Sequence, residues 1–453
     1  MADLVMTTAV ASPAEPDGAP RLALLDILRG IAILGILFMN VNDMGGSLIG
    51  SGEFPRALGW TGADRIAWWL REVLANGTAR CLLEMLFGVG MVILTDRAAT
   101  RLGEGRVLGA YAFRNIVLFL FGLVHIFVLL WPGDILHTYG LAALVAMLFR
   151  RLPPRALLAI GLIMATVQIG GAGTSIIQAQ HRRADGAALL VKRDHGPGLT
   201  QPERQRLAQF EQRRSARARG KAADQKEIDA ENRARTAGPA RWIGSAWHVM
   251  IYLEQSGFEL FAIWEAAGTM LIGAALYRWE IIQGGRSRAV YLRLTVLAYL
   301  IGLSLRAGEA WAVTRFDDWP YLVYATGEYA RLATTLGHLG LVNLLFGTAA
   351  GARLLRPFEA AGRTALSIYV AQTLLCLWVL YPPWGLALYG RQGWAGLMLT
   401  ASAVDLLLLA LANWWVKRFA IAPVEWAWRS IIARQVLPFR RGAAAGQGGL
   451  AAA

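Results

Sequence analysis

Two side chains suited to acid–base chemistry, His125 and Asp134, lie on either side of the short turn Trp131-Pro-Gly, and His137 follows Asp134 within one helical turn. A histidine oriented by a carboxylate can remove a proton from a hydroxyl or an amine, because its pKa lies near neutrality. The turn makes the segments on its two sides antiparallel neighbours, which brings these side chains together. We therefore predict His125 as a general base and Asp134 as its orienting partner. The alternatives are a helix–helix hydrogen bond for His125 and a helix cap for Asp134.

Other polar groups lie at the same end of the membrane bundle as His125 and Asp134. Asn40 and Arg80 carry N–H groups that can stabilise the oxyanion of an acyl transfer, and we predict one or the other as catalytic support. The residues predicted to bind substrate are His137, Glu84, Asp43, Asn42, Arg29 and Asp26. Intramembrane ionisable groups tend to face a bundle interior or a water-filled cavity, so the sequence predicts one shared pocket for most of them.

Asp26 and Arg29 lie at the opposite end of the first apolar segment, three residues apart. An ion pair on one helix face is the simpler expectation for them, and contact of Arg29 with a phosphate-bearing donor is the functional one. Glu265 and His338 rank second as site residues, because both also lie in the outer half of the bundle. The alternative for such isolated polar groups is a helix–helix hydrogen bond.

Long apolar stretches carry all of these residues. Of the 453 residues, 56% are apolar and 17% are charged, whereas soluble domains are about 25% charged. Because a helix of about 20 apolar residues crosses a bilayer, the sequence predicts an all-α, polytopic transmembrane helical bundle. Ten spans are predicted: Leu22–Met44, Ala79–Thr95, Tyr111–Trp131, Asp134–Arg150, Arg155–Gln178, Phe258–Tyr277, Val290–Gly308, Leu332–Ala352, Thr364–Tyr381 and Gly396–Val416.

The net charge of +14 comes from 45 Lys and Arg against 31 Asp and Glu. Basic residues orient membrane segments and contact anionic lipid, so the expected partner is a lipid bilayer and not a nucleic acid. The loops on the side of the membrane that holds the two termini contain more Lys and Arg than the short loops on the other side. Because basic loops stay in the cytoplasm, both termini are predicted to be cytoplasmic. The two cysteines, Cys81 and Cys376, lie in apolar stretches, so neither a disulfide framework nor a metal site is expected.

The sequence divides into two membrane halves, 21–179 and 242–441, around a hydrophilic insert at 180–241. The insert holds fifteen basic and eight acidic residues, and we predict a solvated, partly helical, periplasmic segment without a catalytic role. A site for an anionic ligand is the alternative. Disordered tails are expected at 1–20, with no cleaved signal peptide, and at 442–453. The apolar spacing in 63–75 and 428–436 predicts interfacial helices.

Several blocks, in a common order, resemble the YeiB-like bacterial membrane proteins, a family with a domain of unknown function. The resemblance covers nearly the whole chain apart from the tails and the insert. The blocks are Arg21-Leu-Ala-Leu-Leu-Asp26, Leu86-Phe-Gly-Val-Gly90, Arg114-Asn115, Gly122-Leu-Val-His125, Trp131-Pro-Gly-Asp134, Gly362-Arg-Thr-Ala-Leu-Ser-Ile-Tyr369 and Pro423-Val-Glu-Trp-Ala-Trp-Arg429.

That family is similar to a branch of the transmembrane acyltransferases, which include the lysosomal heparan-glucosaminide acetyltransferase and bacterial sugar O-acyltransferases. The resemblance implies a multi-pass protein of the bacterial inner membrane. It also implies that a cytoplasmic acyl-CoA donor serves an acceptor on the far side. Asn40 is similar in position to an active-site asparagine of the heparan enzyme, whose histidine lies in the following outer loop. No histidine lies between Met44 and Ala79 here, so either His125 substitutes for it or the chemistry differs.

Two other functions use the same polar groups. A transporter or flippase of a small amphipathic metabolite would line its path with them. A non-catalytic scaffold would bury them without a cavity. A narrow tunnel from Arg29 to the cluster would favour acyl transfer, and a wide cavity lined by broken helices would favour transport.

Overall fold

The structure is a computed structural model, and it describes residues 18–50, 55–196, 198–255, 257–317 and 319–440. Most of the predicted tail at 1–20 and all of the predicted tail at 442–453 lie outside these residues. Gly18 already belongs to the first helix. The described residues form no β-strand, and Phe419 and Arg440 make one isolated antiparallel bridge.

Fifteen α-helices follow one another in the described part of the chain. They are α1 (Gly18–Gly45), α2 (Gly62–Leu70), α3 (Thr78–Leu102), α4 (Glu104–Phe127), α5 (Leu136–Ala146), α6 (Pro154–His195), α7 (Gln201–Thr236), α8 (Pro239–Gln255), α9 (Phe258–Arg278), α10 (Arg288–Val313), α11 (Gly327–Phe346), α12 (Ala349–Arg363), α13 (Ala365–Leu374), α14 (Trp394–Arg418) and α15 (Pro423–Ala433). Short π-helical segments, Arg71–Ala75 and Leu375–Leu380, follow α2 and α13.

The prediction of an all-helical membrane bundle is confirmed. In the described residues seven helices are long and apolar enough to cross a bilayer, and a bent pair, α11 with α12, brings the number to eight. Each of the ten predicted spans coincides with a helix, but α5 and α13 are shorter than a full span. Ten is therefore an approximate count, and the chain is a multi-pass membrane protein.

The predicted span Leu332–Ala352 is not one straight helix. The chain bends by 116° between α11 and α12. Thr348 starts the new helix, because its side-chain oxygen accepts a hydrogen bond from the backbone N–H of Gly351 at 3.0 Å. α12 is amphipathic: Leu355 is buried whereas Leu354 and Arg356 are exposed. A capped amphipathic helix therefore replaces the last turn of the predicted span.

Close helix crossings hold the centre of the bundle together. A Cβ at Gly88 would clash with the backbone carbonyl of Met270, and a Cβ at Gly273 would clash with that of Met85. Glycine at both positions lets the backbones of α3 and α9 touch. Since α3 carries Arg80 and Glu84, this crossing fixes their position relative to α9.

The insert is far more regular than the predicted loop. α6 continues from its apolar half through to His195, and α7 returns as a second long helix. Thr200 and Glu203 form a capping box at the start of α7. The two helices meet where Gly186 faces the ring of Phe210. Most of α7 is exposed, as predicted for a solvated segment, but its last turns pack against the membrane helices.

The two stretches predicted to be interfacial are both helical. In α2 and the π-helical segment after it, Ile66, Leu70 and Leu74 are exposed, whereas Trp68 packs inward against Trp394. α15 packs against α4 and α13, and Ile431 at its end is 47% exposed. Each stretch thus combines an anchored face with an exposed apolar one.

Candidate active site

A cavity of about 470 Å³ opens at the end of the bundle where α1 and α4 end and α3 and α5 begin. We call this end the site end and the space the first cavity. Trp68, Trp131 and Trp394 contribute apolar wall together with smaller apolar side chains, and about half of the lining residues are polar. Predicted site residues that line it are Asn40, Asn42, Asp43, Arg80, Glu84, Asp134 and His137. The sequence therefore predicted a shared pocket with most of its polar members.

The carboxylate of Asp134 joins two histidines. His125 Nδ1 lies 2.6 Å from Asp134 Oδ1, and His137 Nδ1 lies 3.0 Å from Oδ2. Oδ2 also accepts the backbone N–H of His137 at 3.0 Å, so Asp134 caps α5 as well. All three side chains are buried. This geometry confirms that the Trp131-Pro-Gly turn brings them together.

Local sequence explains why α4 and α5 approach so closely. Gly122 on α4 faces the backbone nitrogen of His137 and the carboxylate of Asp134, and any Cβ there would clash with both. One turn on, Gly140 of α5 faces the carbonyl of Asn115. The glycines let Asp134 reach both imidazoles, so a larger residue at 122 would separate the acid from its histidines.

His125, predicted as the general base, does not line the first cavity. It is 1% exposed, and its Nε2 lies 2.8 Å from the hydroxyl oxygen of Thr373 on α13. The ring of Tyr369 packs edge-on against it at 4.7 Å. The connectivity is that of a hydroxyl–imidazole–carboxylate triad, but Thr373 is fully buried and away from the cavity. His125 therefore lies behind Asp134, where it supports the carboxylate.

His137 is the histidine that faces the first cavity. Its Nε2 lies 3.1 Å from Glu259 Oε2, yet Nε2 has no hydrogen-bond partner of suitable geometry among the described residues. Glu259 Oε1 is likewise buried and unpartnered there. Buried polar atoms are nearly always satisfied, so two adjacent unsatisfied atoms on one cavity wall mark a position that a hydroxyl or an amine can fill.

The opposite wall comes from the end of α1 and the π-helical segment. The side chain of Asn40 lines the cavity, and no hydrogen bond or ion pair to the rest of the described chain engages it. Arg71 donates to the carbonyl of Met39 at 3.2 Å and to the amide oxygen of Asn42 at 3.3 Å. Asn42 in turn donates to Asp43. The amide of Asn40 is thus the available donor on this wall.

Arg80 belongs to a buried ion-pair network. It pairs with Glu265 and lies 3.6 Å from Glu84. Arg331 on α11 completes the network with contacts of 2.8 Å to Glu84 and 3.1 Å to Glu265. Glu265, a second-rank candidate, is therefore a partner of Arg80 and does not line the first cavity. Arg80 Nε is the atom that lies 3.6 Å from Glu84 Oε1, and it makes no hydrogen bond within the described residues, so an acceptor atom of a ligand can bind it.

The last turns of α7 cover the site end. The carboxylate of Glu231 accepts the hydroxyl of Ser47 at 2.5 Å and the backbone N–H groups of Leu48 and Ile49 at 3.3 Å. Arg235 Nε contacts the same carboxylate at 3.0 Å and lies over the ring of Trp242. Because Leu48 lines the first cavity, the insert holds one edge of its wall in place.

Three predicted site residues lie elsewhere. Arg29 and Asp26 form an ion pair at 2.5 Å at the opposite end of α1, and neither lines the first cavity. This is the simpler of the two expectations for them. His338 contacts the hydroxyl of Tyr299 at 2.8 Å and the carbonyl of Leu74 at 2.9 Å, which is the helix–helix hydrogen bonding expected of an isolated polar residue.

The chain is similar to known proteins over most of its length. Residues 276–435 match the family described as "Protein of unknown function (DUF418)". The chain is 28% identical over 430 residues to the uncharacterized protein YxaH of Bacillus subtilis (strain 168), covering 90% of this chain and 94% of that protein. It is 26% identical over 443 residues to the uncharacterized protein YeiB of Escherichia coli (strain K12), covering 91% and 97%. The resemblance to YeiB-like proteins is confirmed. No solved structure matches the chain significantly.

Sequence reasoning missed several residues of the candidate site. Glu259 opens α9 and Arg331 lies in the first turns of α11, both at the site end. Their position near the end of an apolar helix, at the same end of the bundle as Asp134, could have marked them as site residues. Arg71 and Thr373 carried no such signal, because a π-helical segment and a single hydroxyl are not marked by apolar periodicity.

Proposed function

We propose that the protein is an acyltransferase whose acceptor occupies the first cavity, with His137 as the base. The observation that carries the proposal is the pair of unsatisfied, cavity-facing atoms, His137 Nε2 and Glu259 Oε1. They stand next to a buried carboxylate that already orients the imidazole. A general base needs an oriented ring with a nitrogen that an acceptor can reach. Asp134 orients the ring of His137, and an acceptor reaches Nε2 by replacing its 3.1 Å contact with Glu259 Oε2.

The reaction then follows from these positions. An acceptor hydroxyl or amine gives its proton to His137 Nε2 and attacks the carbonyl carbon of a thioester donor. Asp134 stabilises the imidazolium, and His125 holds Asp134 from behind. Asn40, with Arg80 Nε, donates hydrogen bonds to the tetrahedral oxyanion. The intermediate collapses to the acylated acceptor, and the thiolate leaves with the proton that His137 returns.

The donor and the orientation are part of the same proposal. The resemblance to transmembrane acyltransferases favours an acyl-CoA donor, and the distribution of basic residues favours cytoplasmic termini in an inner membrane. In this orientation the site end faces the periplasm. Arg29 lies at the opposite, cytoplasmic end of the first span, so a donor whose phosphate contacts Arg29 must extend its thioester through the bundle to the first cavity.

The test is release of free thiol from acetyl-CoA by the purified protein in proteoliposomes, with acceptors extracted from membranes of a deletion strain. We expect His137→Gln to lower the rate by about 100-fold or more, the usual contribution of a general base. His125→Gln should lower it less, since this residue acts through Asp134. Unchanged turnover in His137→Gln would remove the proposed base.

His338→Gln is the matched control, because His338 is also a histidine of the bundle but does not line the first cavity. Its turnover should equal that of the unmodified protein. Absence of thiol release by the unmodified protein would contradict acyl transfer from CoA. Accumulation of an extracted metabolite inside the vesicles without thiol release would favour the transporter.

A further inference from the structure

A second cavity of about 330 Å³ lies beside the first, between α6, α9, α10 and the start of α11. The two cavities share Asn76 and Arg80 as lining residues. Arg80 with its partner Glu265 therefore forms part of the wall between them. Apart from Arg80, no residue that lines the second cavity takes part in the proposed acyl-transfer step, so these residues need their own explanation.

Three buried N–H groups on the second cavity have no acceptor among the described residues. They are Arg80 Nε, Arg306 Nε and the amide nitrogen of Gln168, and all three residues line the cavity. The strongest case is Arg306, which is 6% exposed. Buried donors without partners are rare in proteins. Because every unsatisfied atom here is a donor, the missing partner must supply acceptor oxygens.

The charges around the second cavity are close to balanced, since its three arginines contact the carboxylates of Glu84, Glu265, Glu309 and Glu328, but the arginines are not equally well paired. Three arginines line the second cavity against two glutamates, and Arg331 engages both of those carboxylates, Glu328 at 2.8 Å and Glu265 at 3.1 Å. By contrast, within the described part of the chain Arg306 contacts one carboxylate, that of Glu309 at 3.8 Å, and donates to the carbonyl of Asn76 at 2.6 Å. Its guanidinium is the least neutralised cation of the cavity, and guanidinium binds oxyanions through paired hydrogen bonds.

Apolar side chains form the other side of the second cavity. Ile169 and Ala172 of α6 and Phe261 of α9 line it. Next to them, Val167 is 59% and Leu260 is 77% exposed on the surface of the bundle. In a multi-pass protein such large exposed apolar side chains face the bilayer. The cavity therefore joins a lipid-facing surface to a cluster of unsatisfied donors.

We propose that the second cavity binds the oxyanion head of a membrane amphiphile, specifically the phosphate of an anionic phospholipid. The phosphate oxygens accept from Arg306 and Gln168, and the acyl chain lies along Phe261 and Ile169 toward the bilayer. This inference does not rest on acyl transfer, because it predicts binding whether or not the first cavity is catalytic.

The test is native mass spectrometry of the full chain released from detergent micelles with three probes. These are dioleoylphosphatidylglycerol, dioleoylglycerol, which has the same chains without the phosphate, and inorganic phosphate as a competitor. We expect one phosphatidylglycerol to be retained, no dioleoylglycerol, and no displacement by inorganic phosphate. Equal retention of dioleoylglycerol, or displacement by free phosphate, would overturn the proposal.

Two variants locate the site. Arg306→Gln should weaken retention of phosphatidylglycerol by about tenfold or more, the effect of losing a charge-assisted hydrogen bond. Ala172→Trp, at an exposed position, should block the cavity while leaving every charge in place, so it serves if Arg306→Gln fails to fold. Arg315→Gln is the control, since this exposed arginine at the end of α10 lines neither cavity. Unchanged retention in Ala172→Trp would overturn the assignment.

Discussion

Charged residues are dense in two regions of this protein, the ion-pair network at the site end and the helical hairpin of the insert. In the network, Glu84 and Arg331 are 1% and 4% exposed, and each contacts more than one opposite charge. In the hairpin, the side chains of Arg206 and Asp185 are 55% and 47% exposed at a separation of 3.4 Å. Both regions contain ion pairs, but water can replace a partner only in the second.

This difference separates charge that builds a site from charge that keeps a segment in water. A buried ion whose partner is removed stays desolvated, so the fold must keep the whole network together. An exposed pair is screened and contributes little. The unsatisfied atoms Arg80 Nε and Arg306 Nε occur in the buried region, where an open donor has a cost and therefore points to a ligand. An exposed arginine of the hairpin gives no such indication.

The largest effect is expected from Arg331→Leu. The substitution leaves the carboxylates of Glu84, Glu265 and Glu328 without their shared cation in a buried region. Breaking a buried pair from one side costs about 3–5 kcal/mol in the free energy of unfolding. Chemical unfolding in mild detergent, followed by tryptophan fluorescence, measures this loss.

Arg206→Gln sharpens the comparison from the other side, because it removes a charge of the exposed hairpin pair. Its free energy of unfolding should change by less than about 1 kcal/mol. If the two variants lose similar stability, burial does not distinguish the two regions and the argument from unsatisfied donors loses its basis.

Apolar length predicted most of the fold, since every predicted span is helical, although one is bent and two are shorter than a full span. What it missed depends on single residues. The bend after Phe346 comes from the cap at Thr348, and apolar content alone cannot show a change of direction. The insert looked like a loop because polar helices lack a stripe of apolar residues, yet its capping box and the facing Gly186 and Phe210 order it.

The sequence predicted where the candidate site lies, but not which of its two histidines faces the cavity. The turn before Asp134 correctly brought two histidines to one carboxylate. Which histidine faces the cavity depends on Thr373 of α13 and Glu259 of α9, more than 100 residues away in sequence. No spacing within one hairpin carries this information, so His125 and His137 could not be ranked before the packing of the whole bundle was known.

Glu231→Gln tests the one part of the hairpin that behaves like the buried region. Glu231 is 3% exposed and accepts hydrogen bonds from Ser47, Leu48 and Ile49. Loss of its charge should weaken these bonds by about 1–3 kcal/mol in total. Hydrogen exchange of the Leu48 and Ile49 amides should therefore speed up by about tenfold or more.

The control for this substitution is Glu227→Gln, one helical turn earlier in α7, where the carboxylate pairs with exposed His248 at 2.8 Å. Exchange at Leu48 and Ile49 should stay unchanged in that variant. Equal acceleration in both variants would show that the whole of α7, and not the Glu231 carboxylate, holds the edge of the first cavity.

The smallest effect is expected at the exposed start of α7, and it depends on pH. The Lys192 ammonium at 2.7 Å, together with the N–H and hydroxyl of Thr200, lowers the pKa of Glu203 to about 2. Its pKa in an unfolded chain is about 4.3. Since the folded value is the lower one, the ionised carboxylate stabilises this helix start above about pH 4.3, and the contribution disappears as the pH falls toward 2. In hydrogen exchange of the first turns of α7, the unmodified protein should be better protected than Glu203→Gln at pH 7, and the difference should vanish near pH 2. A difference that persisted at pH 2 would show that the Gln variant loses more than charge, which would contradict a screened, solvent-exposed role for the hairpin charges.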